Sequence, residues 1–137
     1  MVKKAGKQAE KNSAKEVLGK VSKGRGFVNI THQVLSREDP KMLDLTHQMF
    51  MHVMHERGAL SLKVKELMVM AINASLLYYT GTKAHMQLAL KAGATKEEVF
   101  EAIEVASWPA GIHVLRTCLP IYEEVMKERK KGKLKIT

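Results

Sequence analysis

A single cysteine, three prolines and 5% aromatic residues leave this 137-residue chain with few of the usual structural staples. Cys118 alone excludes an intrachain disulfide and any Cys-x-x-Cys redox centre, and its setting in VLRTCLPIY reads as a buried, inert thiol. No apolar run is long enough for a signal peptide or a membrane span, so the cytoplasm is the expected compartment and a membrane is not an expected partner. Strand-type alternation and internal repeats are missing, as are a phosphate loop, a nucleophile elbow and a zinc motif. Neither a metal nor a cofactor is expected.

What is present favours helices. The chain is 45% hydrophobic with nine methionines, a composition suited to helices packed through Leu, Met, Ala and Val. An all-α domain follows, long enough to bury one core. The formal net charge of +9 invites a nucleic-acid reading, but the excess sits at the ends. Residues 1–25 carry +6 and residues 127–137 carry +5, while residues 26–126 are net −2. Without interleaved aromatics in the tails or a basic stripe in the body, nucleic acid is not an expected partner. The expected organisation is a basic arm over 1–25, a helical domain over 26–129 and a basic tail over 130–137.

Helix signals punctuate that domain. The arm reads as a short helix or a disordered segment ending at Gly24 or Gly26. Asp39-Pro40 opens a helix running to His55, with Met42, Leu45, Met49, Val53 and the neighbouring Phe50 and Met54 as its apolar stripe. Ser61 caps a second helix, to Leu77, apolar enough to be buried all round by neighbouring helices or a partner subunit. A third spans Thr82–Ala92; Thr95 and Glu98 form a capping box for a fourth, ended by Pro109; a fifth runs from Gly111 to Arg129, kinked or restarted at Pro120.

On the third helix, Lys83, Gln87 and Lys91 form a solvent-facing stripe and His85 lies nearly opposite, facing the interior. A buried imidazole needs a partner, and Glu66, Asn73 and the Tyr78/Tyr79 pair are the candidates. Three histidines of the first firm helix, His47, His52 and His55, read as surface or interface groups rather than metal ligands. His113 could approach His85 if the last helix crosses the third, and Arg116 is suited to bind a substrate carboxylate.

KVKELMVMAINASLLYY, then GTKAHMQLALKAGATKEEVFEAIEVAS, then the AG of PAGI resemble the core of the carboxymuconolactone decarboxylase and alkylhydroperoxidase D-like superfamily. In the peroxidase branch the resemblance implies a Glu on the buried helix, two redox cysteines three apart, and a His four residues after the second. Glu66 and His85 match, but Tyr78 and Gly81 occupy the cysteine positions, so thiol peroxidase chemistry is not expected. The decarboxylase branch implies a small carboxylated lactone as substrate, although YYTG stands where that branch carries further polar groups.

Two readings result, and whether the chain is an enzyme stays open between them. In the first, a cofactor-free enzyme acts on a small carboxylated or carbonyl substrate, with His85 as acid/base, Glu66 orienting it and Tyr78 assisting; Tyr79, His113 and Arg116 bind substrate. In the second, a thiol-less relative serves as a binding or scaffolding protein whose tails dock an acidic partner. Either way the resemblance implies a homo-oligomer, a trimer or hexamer.

Overall fold

The computed structural model describes residues 2–134, with side chains from Ser13 onward; Met1 and the last three residues of the expected basic tail lie outside it. Among the described residues the chain forms seven α-helices, one π-helical turn and no strand, so it is all-α. It divides into two compact units at Arg57/Gly58.

The first unit holds α1 (Val2–Arg25), α2 (Ile30–Glu38), α3 (Pro40–Met51) and a π-helical turn, His52–Glu56. The arm is thus a long helix. Nothing in the apolar pattern announces α2, yet Asn29 caps it by accepting from the His32 amide, while the His32 ring reaches back to the Asn29 amide. Asp39 caps α3 as expected, accepting from the Met42 amide at 2.9 Å with Pro40 in the first turn. The expected apolar stripe of α3 is corrected. Val17 and Val21 of α1 pack on Leu43, and His47 is buried too, whereas Met42, Leu45, Met49 and Val53 are each about half exposed or more; of the expected stripe Met54 is buried and Phe50 partly so.

The second unit holds α4 (Leu62–Ser75), α5 (Tyr79–Lys91), α6 (Lys96–Ala110) and α7 (His113–Lys130). Its core joins Met70 and Ala74 of α4 to Met86, Ile103, Cys118 and Ile121 of the other three helices. The α7 contribution repeats at helical spacing through Val114, Cys118, Ile121 and Val125, all 0% exposed. Ser61 caps α4, and Thr95 with Glu98 forms the expected capping box of α6. Lys63 donates to Glu98 at 2.7 Å, tying the starts of α4 and α6 together.

Two expectations at prolines are corrected here. Proline at 109 lies one residue inside the end of α6 and gives up only its own amide bond, while the Gly111 amide still reaches the Ser107 carbonyl and Gly111, at φ 91°, turns the chain. Proline at 120 is exposed and α7 passes through it unbroken. The three neighbours of α4 cover one side of it and leave Met68, Ile72 and, just past its end, Leu76 on the surface, so helices of this chain supply only part of the expected enclosure.

Three helices end in the same closure, with the sixth amide bonded back to the first carbonyl and the fifth to the second. Glycine takes the left-handed position after α5 (Gly93, φ 96°) and after α7 (Gly132, φ 65°). After α4 that position is Leu77, at φ 55°.

Candidate active site on the α4–α5 hairpin

Helices α4 and α5 run antiparallel, joined by the turn at Leu76–Tyr78, so residues early in α4 face residues late in α5. That register brings Glu66 to His85. The His85 Nδ1 lies 2.7 Å from Glu66 Oε2, with the carboxylate side chain only 4% exposed and the imidazole 18%. With Nδ1 taken up by the carboxylate, Nε2 is the nitrogen left for other chemistry. A carboxylate in this position holds the ring in the tautomer whose Nε2 carries a free lone pair, the arrangement of a general base.

One turn back along α5 the facing pair is Asn73 and Gly81. A β-carbon added at Gly81 would sit 2.4 Å from Tyr78 Cδ1 and 2.7 Å from Asn73 Nδ2, so the ring of Tyr78 and the amide of Asn73 fill the space above a bare backbone. Among the described residues the Asn73 side chain makes no hydrogen bond, although its backbone carbonyl accepts from the Tyr78 amide at 2.9 Å. The phenol of Tyr78 is equally unpaired and its side chain half exposed.

Tyr79 points into different company. Its hydroxyl donates to Glu124 at 3.1 Å; Lys83 donates to Glu124 at 2.7 Å and to Glu128 at 2.9 Å; Gln87 donates to Glu128 at 2.7 Å. The expected solvent-facing stripe is therefore corrected: Gln87 is 1% exposed and Lys83 is largely covered by α7. The Lys83 ammonium holds the Glu124 carboxyl below its usual range, and the Glu124 hydrogen bond raises both Lys83 and the Tyr79 phenol. This cluster clasps α5 to α7, and it engages the phenol assigned to substrate. The spacing signal was present: Lys83 and Gln87 on one helix match Glu124 and Glu128 on another, both four apart.

His113 and Arg116 are exposed near the start of α7, and among the described residues neither joins the Glu66–His85 pair by a hydrogen bond, ion pair or ring contact. His52 pairs with Glu56 at 2.8 Å and His55 stacks edge-on with Phe50; among the described residues no cluster has the makings of a metal site. No helix among them is long and apolar enough to cross a membrane.

The chain matches the carboxymuconolactone decarboxylase family over residues 40–124, well over half its length. It belongs to that family. The crystal structure of a candidate carboxymuconolactone decarboxylase from Burkholderia xenovorans LB400 superposes with a TM-score of 0.75 at 19% identity, covering 90% of this chain and 98% of that one. Sharing at that identity is of fold. No curated protein matches.

As a member of the carboxymuconolactone decarboxylase family, the chain lacks the paired thiols of the peroxidase branch. The two positions that the resemblance assigns to them, Tyr78 and Gly81, are in direct contact, the ring of one occupying the side-chain space of the other. The sole thiol, Cys118, is 0% exposed in the core, and burial raises its pKa. Described grooves lie elsewhere: one between α4 and α6, lined by Met68, Ala71 and Val105, and others along α6 and α7 beside Tyr122.

Proposed function

We propose that this family member is a cofactor-free acid–base enzyme acting on a small carboxylated or carbonyl compound, a lactone or a β-keto acid. The observation that carries the reading is the 2.7 Å bond from His85 Nδ1 to the buried Glu66 carboxylate, which leaves Nε2 as the proton-transfer atom. His85 takes a proton from a carbon beside a carbonyl or, when its ring carries a proton on both nitrogens, gives the Nε2 proton to the enolate left when carbon dioxide departs. Glu66 orients the ring and fixes its tautomer. Tyr78, with a free phenol, is the assisting donor in this reading; Tyr79 is not, because Glu124 already holds its hydroxyl.

The active species is proposed to be an oligomer. Met68, Ile72 and Leu76 on α4 and Val105, Trp108 and Ile112 on or beside α6 are exposed, Trp108 by 91%. That is more large apolar surface than a solitary chain of this size ordinarily leaves in water.

A screen of lactones and β-keto acids with wild type, His85→Ala and Glu66→Gln tests the assignment. Turnover by wild type that falls at least a hundredfold in His85→Ala is the expected result. Equal turnover by wild type and His85→Ala refutes it.

A further inference from the structure

The Glu66–His85 pair accounts for proton transfer but not for how a substrate is held, and the hairpin carries an unused group in line with it. Glu66 and Asn73 are seven apart on α4 and share a face; Gly81 and His85 are four apart on α5 and share the facing one. The pairings Glu66–His85 and Asn73–Gly81 are therefore two rungs of one ladder, separated by about 6 Å along α5 and about 10 Å along α4. Met70, 0% exposed, lies between Glu66 and Asn73 in the α4 sequence and belongs to the core.

At the second rung the absence of a side chain at Gly81 is what lets Asn73 Nδ2 and the Tyr78 ring come in. Any larger residue would meet both below 3.0 Å. The Asn73 amide is half-buried, and its polar atoms have no partner among the described residues. A half-buried amide with two unspent N–H donors beside an aromatic wall is suited to one kind of group: a carbonyl or carboxylate oxygen on a small, flat molecule.

We propose that Asn73 is a substrate-positioning residue of this site. Its Nδ2 donates to a carboxylate or carbonyl oxygen of the substrate, whose body lies along Tyr78 and whose reacting carbon reaches toward His85 Nε2 at the neighbouring rung. Gly81 is the gap that makes room for this anchor. The proposal rests on the acid–base reading and adds to it how the substrate is held: an oxygen acceptor apart from the carbon that loses or gains a proton is anchored at Asn73.

The test uses the full chain and a saturated γ-lactone carboxylate, 5-oxotetrahydrofuran-2-carboxylate, as an unreactive probe. NMR titration follows the Asn73 side-chain amide, assigned by its loss in Asn73→Ala, together with the His85 ring signals. Both are expected to shift with one common Kd. Asn73→Ala should weaken binding about tenfold, the loss of one hydrogen bond to a charged acceptor, and Asn73→Asp should weaken it further by repulsion. Asn73 uses only its backbone to hold the hairpin turn, so Asn73→Ala should keep its thermal midpoint while losing affinity, which a merely structural role would not produce. If the probe shifts His85 but not Asn73, and Asn73→Ala binds like wild type, the anchor is wrong and the acid–base reading stands. If the probe shifts neither group, the reading fails and the anchor falls with it.

Discussion

Placing the Tyr78 ring on Gly81 has an energetic signature that a double-mutant cycle can isolate. In isolation, glycine to alanine inside a helix is worth about 1 kcal/mol of stabilisation, because alanine restricts the unfolded chain. At Gly81 the new methyl would fall 2.4 Å and 2.5 Å from two Tyr78 ring carbons. The ring must move, and overpacking of this kind costs about 1–3 kcal/mol. The net effect of Gly81→Ala in the wild-type background is therefore a loss of up to about 2 kcal/mol. In a Tyr78→Ala background the ring is gone. The remaining neighbour, Asn73 Nδ2 at 2.7 Å, is the far end of a side chain with no hydrogen bond, and it can swing aside. There Gly81→Ala should stabilise by about 1 kcal/mol.

The coupling between the two sites should then be about 1–3 kcal/mol. Denaturant unfolding of the four proteins followed by circular dichroism measures it, with amide exchange in α5 reporting locally. Effects of Gly81→Ala that agree within about 0.3 kcal/mol in the two backgrounds would refute the contact. The same geometry says that a cysteine cannot simply be restored at position 81 while Tyr78 is in place.

Acid should loosen the first unit. His32 and His47 are 6% and 8% exposed, and both are held below the ordinary imidazole value of 6.5, first by burial and then by the nearby Arg25, with Asp44 opposing the effect only at His47. The folded unit refuses protons that the unfolded chain accepts, so stability is intact above pH 6.5 and declines below it until the depressed folded values are passed. Protection of the α1 to α3 amides, with exchange rates referred to those of free amides at the same pH, should fall as pH drops below 6.5 in wild type and much less in a His32→Gln/His47→Gln variant; identical profiles would contradict the burial of these rings. Cys118, 0% exposed with a raised pKa, should resist a thiol reagent in the native state and react on unfolding, and Cys118→Ser should cost about 1–3 kcal/mol by placing an unpaired hydroxyl in the core. Fast native labelling would show that the core opens there.

Local chemistry was legible in the sequence, and distant coverage was not. Asp39-Pro40, Ser61 and Thr95 with Glu98 announce helix starts because a cap is a bond between residues three apart, and all three form. Helix α2 escaped because its capping box uses His32 where a Glu or Gln is the usual signal. Helical phase correctly set His85 across from Lys83 and Gln87, and Glu66 was among its named candidate partners. Phase alone says which residues share a face, not what packs on it. Gln87 and Lys83 looked solvated because Glu124 and Glu128, some forty residues away, are what cover them. On α3 the same limit inverted the outcome: Leu43 and His47 face α1 and α2 while the more apolar stripe stays exposed.

The α4–α5 turn shows how the chain sets its candidate site. Gly93 and Gly132 close their helices in the left-handed region without a steric penalty, but at Leu77 the same closure costs about 1–2 kcal/mol. Hydrogen bonds on both sides offset that cost: the Tyr78 amide reaches the Asn73 carbonyl, and the Tyr78 carbonyl receives both the amide and the hydroxyl of Thr82, each at 2.9 Å. Tyr78 is thereby clamped front and back by its own backbone, and its side chain has one bare stretch of helix to lie on, at Gly81. A glycine at 77 would relieve the turn but would also let it flex, and the direction of Tyr78 would no longer be over-determined. Strain that persists only because its surroundings hold it is found where a direction matters. Here it lies in the turn that carries Tyr78 and Asn73 toward the rung next to His85.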